Sequence, residues 1–152
     1  MKRPDIVLDA FTGKLGEHMN MSDLDAWRPR ILSILRAVAG FIFLLHGSQK
    51  LLGYPPTEKV VQAMSLPWFA GIFELVCGTL IFIGLFTRSA AFLASGTMAF
   101  AYWIAHAPHN MFPVNNGGDA AILYCFVFFY LIFAGPGPWS IDARIGGGST
   151  RN

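Results

Sequence analysis

Charge is what this chain has little of. Eleven Lys and Arg and nine Asp and Glu make up only 13% of its 152 residues, where a soluble domain usually carries about a quarter. A surface that could be solvated all round is thereby excluded. The basic residues form no stripe with interleaved aromatics, so no nucleic-acid partner is expected. Cysteine is scarce too. Cys77 and Cys125 stand in separate apolar runs without a CxxC, read as small hydrophobes, and leave the redox compartment open. The first thirty residues lack the apolar core of a signal peptide. No phosphate-cradling glycine loop, GxSxG, HExxH, flavin motif or well-placed haem ligand pair is present, so no self-sufficient catalytic set is visible.

Apolar residues are what is there: 54% of the chain, with a mean hydropathy of +0.49. They fall into four runs, expected as membrane spans over about 31–52, 66–86, 90–106 and 119–134. Residues 1–30 read as a polar cytosolic tail, with a short interfacial helix around 21–27 that Ser22 could cap. A little helix is expected over TEKVVQAM in the loop after the first span, and Thr87-Arg88-Ser89 is expected as a tight turn. Residues 145–152 read as a flexible C-terminal tail. The fold class expected is all-α, a membrane four-helix bundle. Eight Lys and Arg would lie on the side of the two termini and two, Lys50 and Lys59, on the other. That asymmetry puts both termini in the cytosol. The third span is rich in Ala, Ser and Gly, and offers one face for a homodimer.

The chain is organised around the second run, LPWFAGIFELVCGTLIFIGLFTR, which one acid interrupts. Glu74 lies about 12 Å in from Leu66 by helical rise, where an unpaired carboxylate costs on the order of 2 to 3 kcal/mol near the bilayer centre. Gly71 and Gly78 share its face and would admit a neighbouring backbone. His46 lies at a similar depth, about 9 Å in from Leu52, and Lys50 follows it by one helical turn. Tyr102, His106 and Asp119 stand near the same outer end. His46, Gln49, Lys50, Glu74, Tyr102, His106 and Asp119 are therefore expected to line one polar cavity opening outward.

Each member also has a bland reading. Lys50 at a span end snorkels to the headgroups. Glu74 with His46 or Lys50 makes a structural clasp between helices. Arg36 snorkels inward or caps a polar contact between helices. Asp119 belongs first to a turn and a helix start. His106 and His109 suggest a metal pair, but Pro108 interrupts their spacing and no Asp or Cys stands beside them, so no metal is expected.

LRAVAGFIFLLHGSQKLLG, FELVCGTLIFIGLFTR, NNGGDAAILY and GPGPWSIDA occur in order across residues 30–144. Together they resemble the DoxX family: its Leu-Arg start and His-Gly-x-x-Lys-Leu, its Glu-centred second span with Gly-Leu-x-Thr-Arg, its Asn-Gly-Gly-acid entry to the last helix, and its closing Gly-Pro-Gly-x-x-Ser-x-Asp. Asp119 stands where that family usually has Glu, and Pro138 where a basic residue is common. The resemblance implies a four-helix, multi-pass protein of a bacterial or archaeal plasma membrane. It also implies association with terminal-oxidase, thiosulfate:quinone oxidoreductase or oxidative-stress systems.

Two functions are then expected as alternatives. In one, the protein is a quinone-linked redox subunit serving a membrane or periplasmic partner protein. Glu74 and His46 would be the chemical groups, and Lys50, Gln49, Tyr102, His106, Asp119 and Arg36 would surround the quinone. In the other it is a non-catalytic scaffold, assembly factor or small-solute permease, held by the Glu74 clasp.

Overall fold

The computed structural model describes residues 21–58 and 61–146. Every regular element among them is helical: α1 (Met21–Leu52), α2 (Leu66–Ile83), α3 (Thr87–Ala101), the short α4 (Pro113–Asn116), α5 (Asp119–Ala134) and the short α6 (Ile141–Gly146). A single π-helical stretch, Tyr102–His106, continues α3. Helix α1 packs along α2 and α3 along α5, while α2–α3 and α1–α5 contacts join the two pairs.

Phe43, Ile81, Ala91, Ala94, Phe128 and Leu131 form the buried centre. The outer faces are as apolar as the inside. Phe92, Phe100, Phe126 and Phe133 are each about two-thirds exposed, an arrangement that suits hydrocarbon rather than water. The Phe-rich α5 thus both packs inward, through Phe128, and faces outward. Helices α1 and α2 are long and apolar enough to cross a membrane, and α5 is a shorter apolar helix.

Four glycines set the closest helix pair. Gly40 and Gly47 on α1, seven residues apart, face Gly71 and Gly78 on α2, also seven apart. A Cβ on Gly40 would lie 2.6 Å from the Phe82 nitrogen, one on Gly78 2.5 Å from the Leu44 nitrogen, and one on Gly47 would collide with the backbone of Leu75. Two backbones in direct contact bring Lys50 within reach of Glu74.

Helix ends follow the local chemistry. Ser65 caps α2, its hydroxyl accepting from the Trp68 N–H at 3.4 Å, with Pro67 in the first turn. Gly84, at φ 72°, ends α2, and the Leu85 N–H returns to the Leu80 carbonyl at 2.9 Å. Gly53, at φ 67°, follows the end of α1.

Several boundaries differ from the sequence expectation. Helix α1 starts at Met21 and runs unbroken through the stretch expected as a separate interfacial helix. Pro29 stands within it and its carbonyl accepts from Ser33 at 3.2 Å. The turn between α2 and α3 is Gly84-Leu85-Phe86; Thr87, Arg88 and Ser89 already belong to α3. The glycine supplies the positive φ that ends a helix, and Thr87 does not. Residues 61–64 form no helix, and Lys59 and Val60 of that expected helix lie outside the described residues. Helix α6 reaches Gly146, two residues into the expected tail. The expected segments 1–20 and 147–152 lie outside the described residues.

Where α2 and α5 end, two arginines and an aspartate bind the helix termini together. Arg36 donates to the Ile81 and Phe82 carbonyls of α2 at 2.5 Å each, to Pro136 at 2.8 Å and to Trp139 at 2.6 Å. Arg88 donates to the Ile132 and Phe133 carbonyls of α5. Cations at helix C-termini satisfy the last carbonyls and the helix dipole at once. Asp142 does the converse at the start of α3, accepting from the Phe86 and Thr87 N–H groups at 2.8 and 2.9 Å. Burial works to raise the Asp142 carboxyl, but the Thr87 and Phe86 N–H groups and the Arg36 charge outweigh it and hold the group below its ordinary value.

Candidate functional site

Glu74 is 3% exposed, on the face of α2 turned toward α1. Its Oε1 accepts from Lys50 Nζ at 2.5 Å. Its Oε2 has no hydrogen-bond partner, one of two such buried side-chain atoms among the described residues. A buried acceptor left unpartnered is costly. Glu74 and Lys50 wall a cavity of about 150 Å³ with His46, Phe43, Met98, His106, Gly117, Ala121 and Tyr124. All four long helices contribute to it. At about 30 Å³ per water the volume is that of roughly five waters, or of one small ring.

Each polar group reaches the cavity for a local reason. His46 and Lys50 are four apart on α1 and share a face. His46 is exposed at the rim, its ring edge-on to Tyr124 with centroids 6.2 Å apart. Tyr124 stacks on Phe128 at 5.6 Å and packs against Phe43. His106 comes in on the π-helical turn, whose extra residue rotates the end of α3. Its Nδ1 lies 3.0 Å from the Asn116 carbonyl oxygen. Asn116 itself is tied down by its side chain, which donates to the Asn110 carbonyl at 2.6 Å and accepts from the Gly118 N–H at 2.7 Å.

Of the residues singled out from the sequence, Glu74, His46, Lys50 and His106 thus come together. The other four do not. Arg36 is spent on four backbone carbonyls some ten residues of helix away from His46, about 15 Å by helical rise. It caps the C-terminal carbonyls of α2 and the loop after α5. Gln49 donates to the Pro55 carbonyl at 3.3 Å in the loop after α1. Asp119 is exposed in the first turn of α5, with Gly118 as the cap residue. Tyr102 donates to the Met111 carbonyl at 3.1 Å and lays its ring against Gly118, pinning the loop that carries Asn116. Among the described residues no three His, Cys, Asp or Glu side chains gather as a metal ion needs.

Tyr124 was not singled out from the sequence. Its signal was its register: it follows Ala121 by three and precedes Phe128 by four, and so shares the buried face of α5. The Asn116 carbonyl has no sequence signal, since only loop geometry brings it to His106.

Outward-facing phenylalanines, spanning-length helices and a buried ion pair between them define a helical membrane protein. Residues 31–107 match the DoxX family model. An uncharacterised protein of Haemophilus influenzae is 39% identical over 82% of this chain and 97% of its own length. The inner membrane protein YphA of Escherichia coli is 30% identical over 80% of this chain and 95% of its own. A Bacillus subtilis protein, CatD, whose oxidoreductase name is marked as provisional, is 35% identical over 43% of this chain and 52% of its own. No solved structure matches the chain. The chain belongs to the DoxX family of membrane proteins.

Proposed function

We propose that this protein is a four-span component of a bacterial inner membrane redox assembly, and that the Glu74 cavity receives the headgroup of a quinone or quinol. The observation that carries the reading is Glu74 itself, a buried carboxyl with one oxygen unpartnered, in the wall of a cavity that four helices build. The lining suits such a headgroup. Phe43, Met98 and Ala121 offer apolar contact for a ring, and Glu74, Lys50, His46, His106 and Tyr124 offer partners for its oxygens. A volume near 150 Å³ admits the ring and leaves the tail in the bilayer. The oxidoreductase name of CatD, a partial match, points the same way. The charge asymmetry supports both termini in the cytosol and the cavity toward the outer leaflet.

The work of this chain is to hold the ring and handle its protons. Glu74 is the group that handles the headgroup proton, and Lys50 on its Oε1 holds the carboxyl in place. His46 at the rim stands between the cavity and the exterior. A bound quinone headgroup supplies two-electron chemistry, and the electrons pass to or from a redox partner.

Extraction of the protein, purified in mild detergent with its native lipids, tests this. Stoichiometric quinone, lost in His46→Ala and retained in an outward-facing control such as Phe92→Leu, is expected. A stable protein without quinone contradicts it. The second reading, a purely structural clasp, is favoured by one observation, the 2.5 Å Lys50–Glu74 pair. It leaves the second oxygen of Glu74 without a purpose.

A further inference from the structure

Helix α5 is short for a membrane span. Its 16 residues rise about 24 Å, about 6 Å less than a hydrocarbon core of roughly 30 Å. The register against α3 shows at which end it falls short. Arg88 donates to the Ile132 carbonyl, the Ser95 hydroxyl donates to the Cys125 carbonyl at 2.9 Å, and the Tyr102 ring lies against Gly118. Each step of seven along α3 is thus matched by a step of seven back along α5, and α5 starts level with Ala101. The π-helical stretch Tyr102–His106 rises about 7 Å past that level.

The loop 107–118 fills the step. It runs back beside the π-helical stretch, where the Met111 carbonyl accepts from the Tyr102 hydroxyl at 3.1 Å and the Asn116 carbonyl oxygen lies 3.0 Å from His106 Nδ1. Its polar groups turn to one another: the Asn110 side chain accepts from the Phe112 N–H at 2.8 Å, and the Asn116 amide donates to the Asn110 carbonyl at 2.6 Å. Its apolar side chains turn out. Met111 is 80% exposed, Phe112 67% and Val114 82%, beside the exposed Trp103 and Ile104 of the π-helical stretch. No Asp, Glu, Lys or Arg occurs from Ser89 to Gly118.

We propose that Met111, Phe112 and Val114 anchor this loop in the lipid leaflet at this end of the bundle, the outer one in the proposed topology. Uncharged side chains level with Trp103 suit acyl chains, and irregular backbone is tolerated at that depth where it faces protein, as here. Asp119, exposed at the start of α5, limits the depth. A charge is tolerated near the membrane edge and not in the core, so the three side chains reach the acyl–headgroup boundary and no deeper. His109, where the chain turns back, stays in water. The anchor does not depend on what the cavity holds.

Single nitroxide spin labels on the full chain in phosphatidylcholine vesicles test the proposal, with Cys77 and Cys125 replaced by Ala. Labels at Met111→Cys and Val114→Cys should lose most of the relaxation by a water-soluble nickel chelate that a label at His109→Cys shows. They should keep the relaxation by dissolved oxygen, as a label at Phe100→Cys on the outward face of α3 does. Both positions are exposed, and either serves alone should the other variant fail to fold. Labels at Met111 and Val114 as open to the chelate as the one at His109 overturn the proposal. Labels open to the chelate in vesicles but shielded in native membranes also overturn it, and give the surface to a protein partner instead.

Discussion

Lys50 on α1 gives its ammonium to one oxygen of Glu74 on α2 and leaves the other buried without a partner. One carboxylate therefore does two things. It clasps the two helices, and it stands in the wall of the cavity.

The clasp is tested by a double-mutant cycle. Lys50→Met leaves a buried, unpaired carboxylate, and because Lys50 is itself 29% exposed the cost should sit at the low end of that for a buried pair, about 3 kcal/mol. Lys50→Met combined with Glu74→Gln should cost clearly less than the sum of the two single changes. Thermal unfolding in detergent reads this out, and additive losses would show that the pair is not coupled.

The glycine seam should be intolerant of a single methyl. Gly78→Ala meets the Leu44 backbone at 2.5 Å and Gly40→Ala the Phe82 nitrogen at 2.6 Å. Backbone atoms cannot swing aside as side chains do, so a loss of about 2 kcal/mol or more is expected for each. Gly96→Ala, with open space around it, should be neutral or slightly stabilising.

Acid should loosen the α2–α3 turn through Asp142. Its folded value is depressed, so its contribution is complete above the ordinary Asp value of about 3.9 and is lost as pH falls through the depressed value. Wild type should therefore lose more stability on acidification through that window than Asp142→Asn, which lacks the contribution at every pH. Parallel pH profiles of the two proteins would contradict the assignment.

The proposed topology places Arg144 and His109 on opposite sides of the membrane. In a background with Cys77 and Cys125 replaced by Ala, Arg144→Cys should resist an impermeant thiol reagent applied to intact cells, and His109→Cys should react. The reverse pattern inverts the orientation.

Much of this was legible in the chain. Glu74 announces itself as an acid inside an apolar run, and helical rise matches its depth to that of His46 and Lys50. Depth does not say which residues turn toward each other. The residue that fixes the approach is not Glu74 but the pairing of Gly40 and Gly47 with Gly71 and Gly78, of which only the second pair drew notice. Arg36 was expected to snorkel, to cap a contact between helices or to stand near a quinone, and the carbonyls it caps belong to segments some 45 to 103 residues away. Asp142 belonged to a recognisable closing signature, but its role needs α6 to fold back against the α2–α3 turn, where its own N–H reaches the Gly84 carbonyl at 2.8 Å. Gly84, rather than Thr87, was the better turn signal, since a helix ends where a residue accepts a positive φ.

The claim at the centre is that Glu74, in the cavity wall, handles the proton of a bound headgroup. An infrared difference spectrum on adding decyl-tailed benzoquinol to the purified protein, with glutamate isotope-labelled, tests it most directly. A shifted carboxylate band that disappears in Glu74→Gln, while that variant still carries the helical circular dichroism of the wild type, is the result expected. Saturating ligand with no change in the Glu74 band would contradict it.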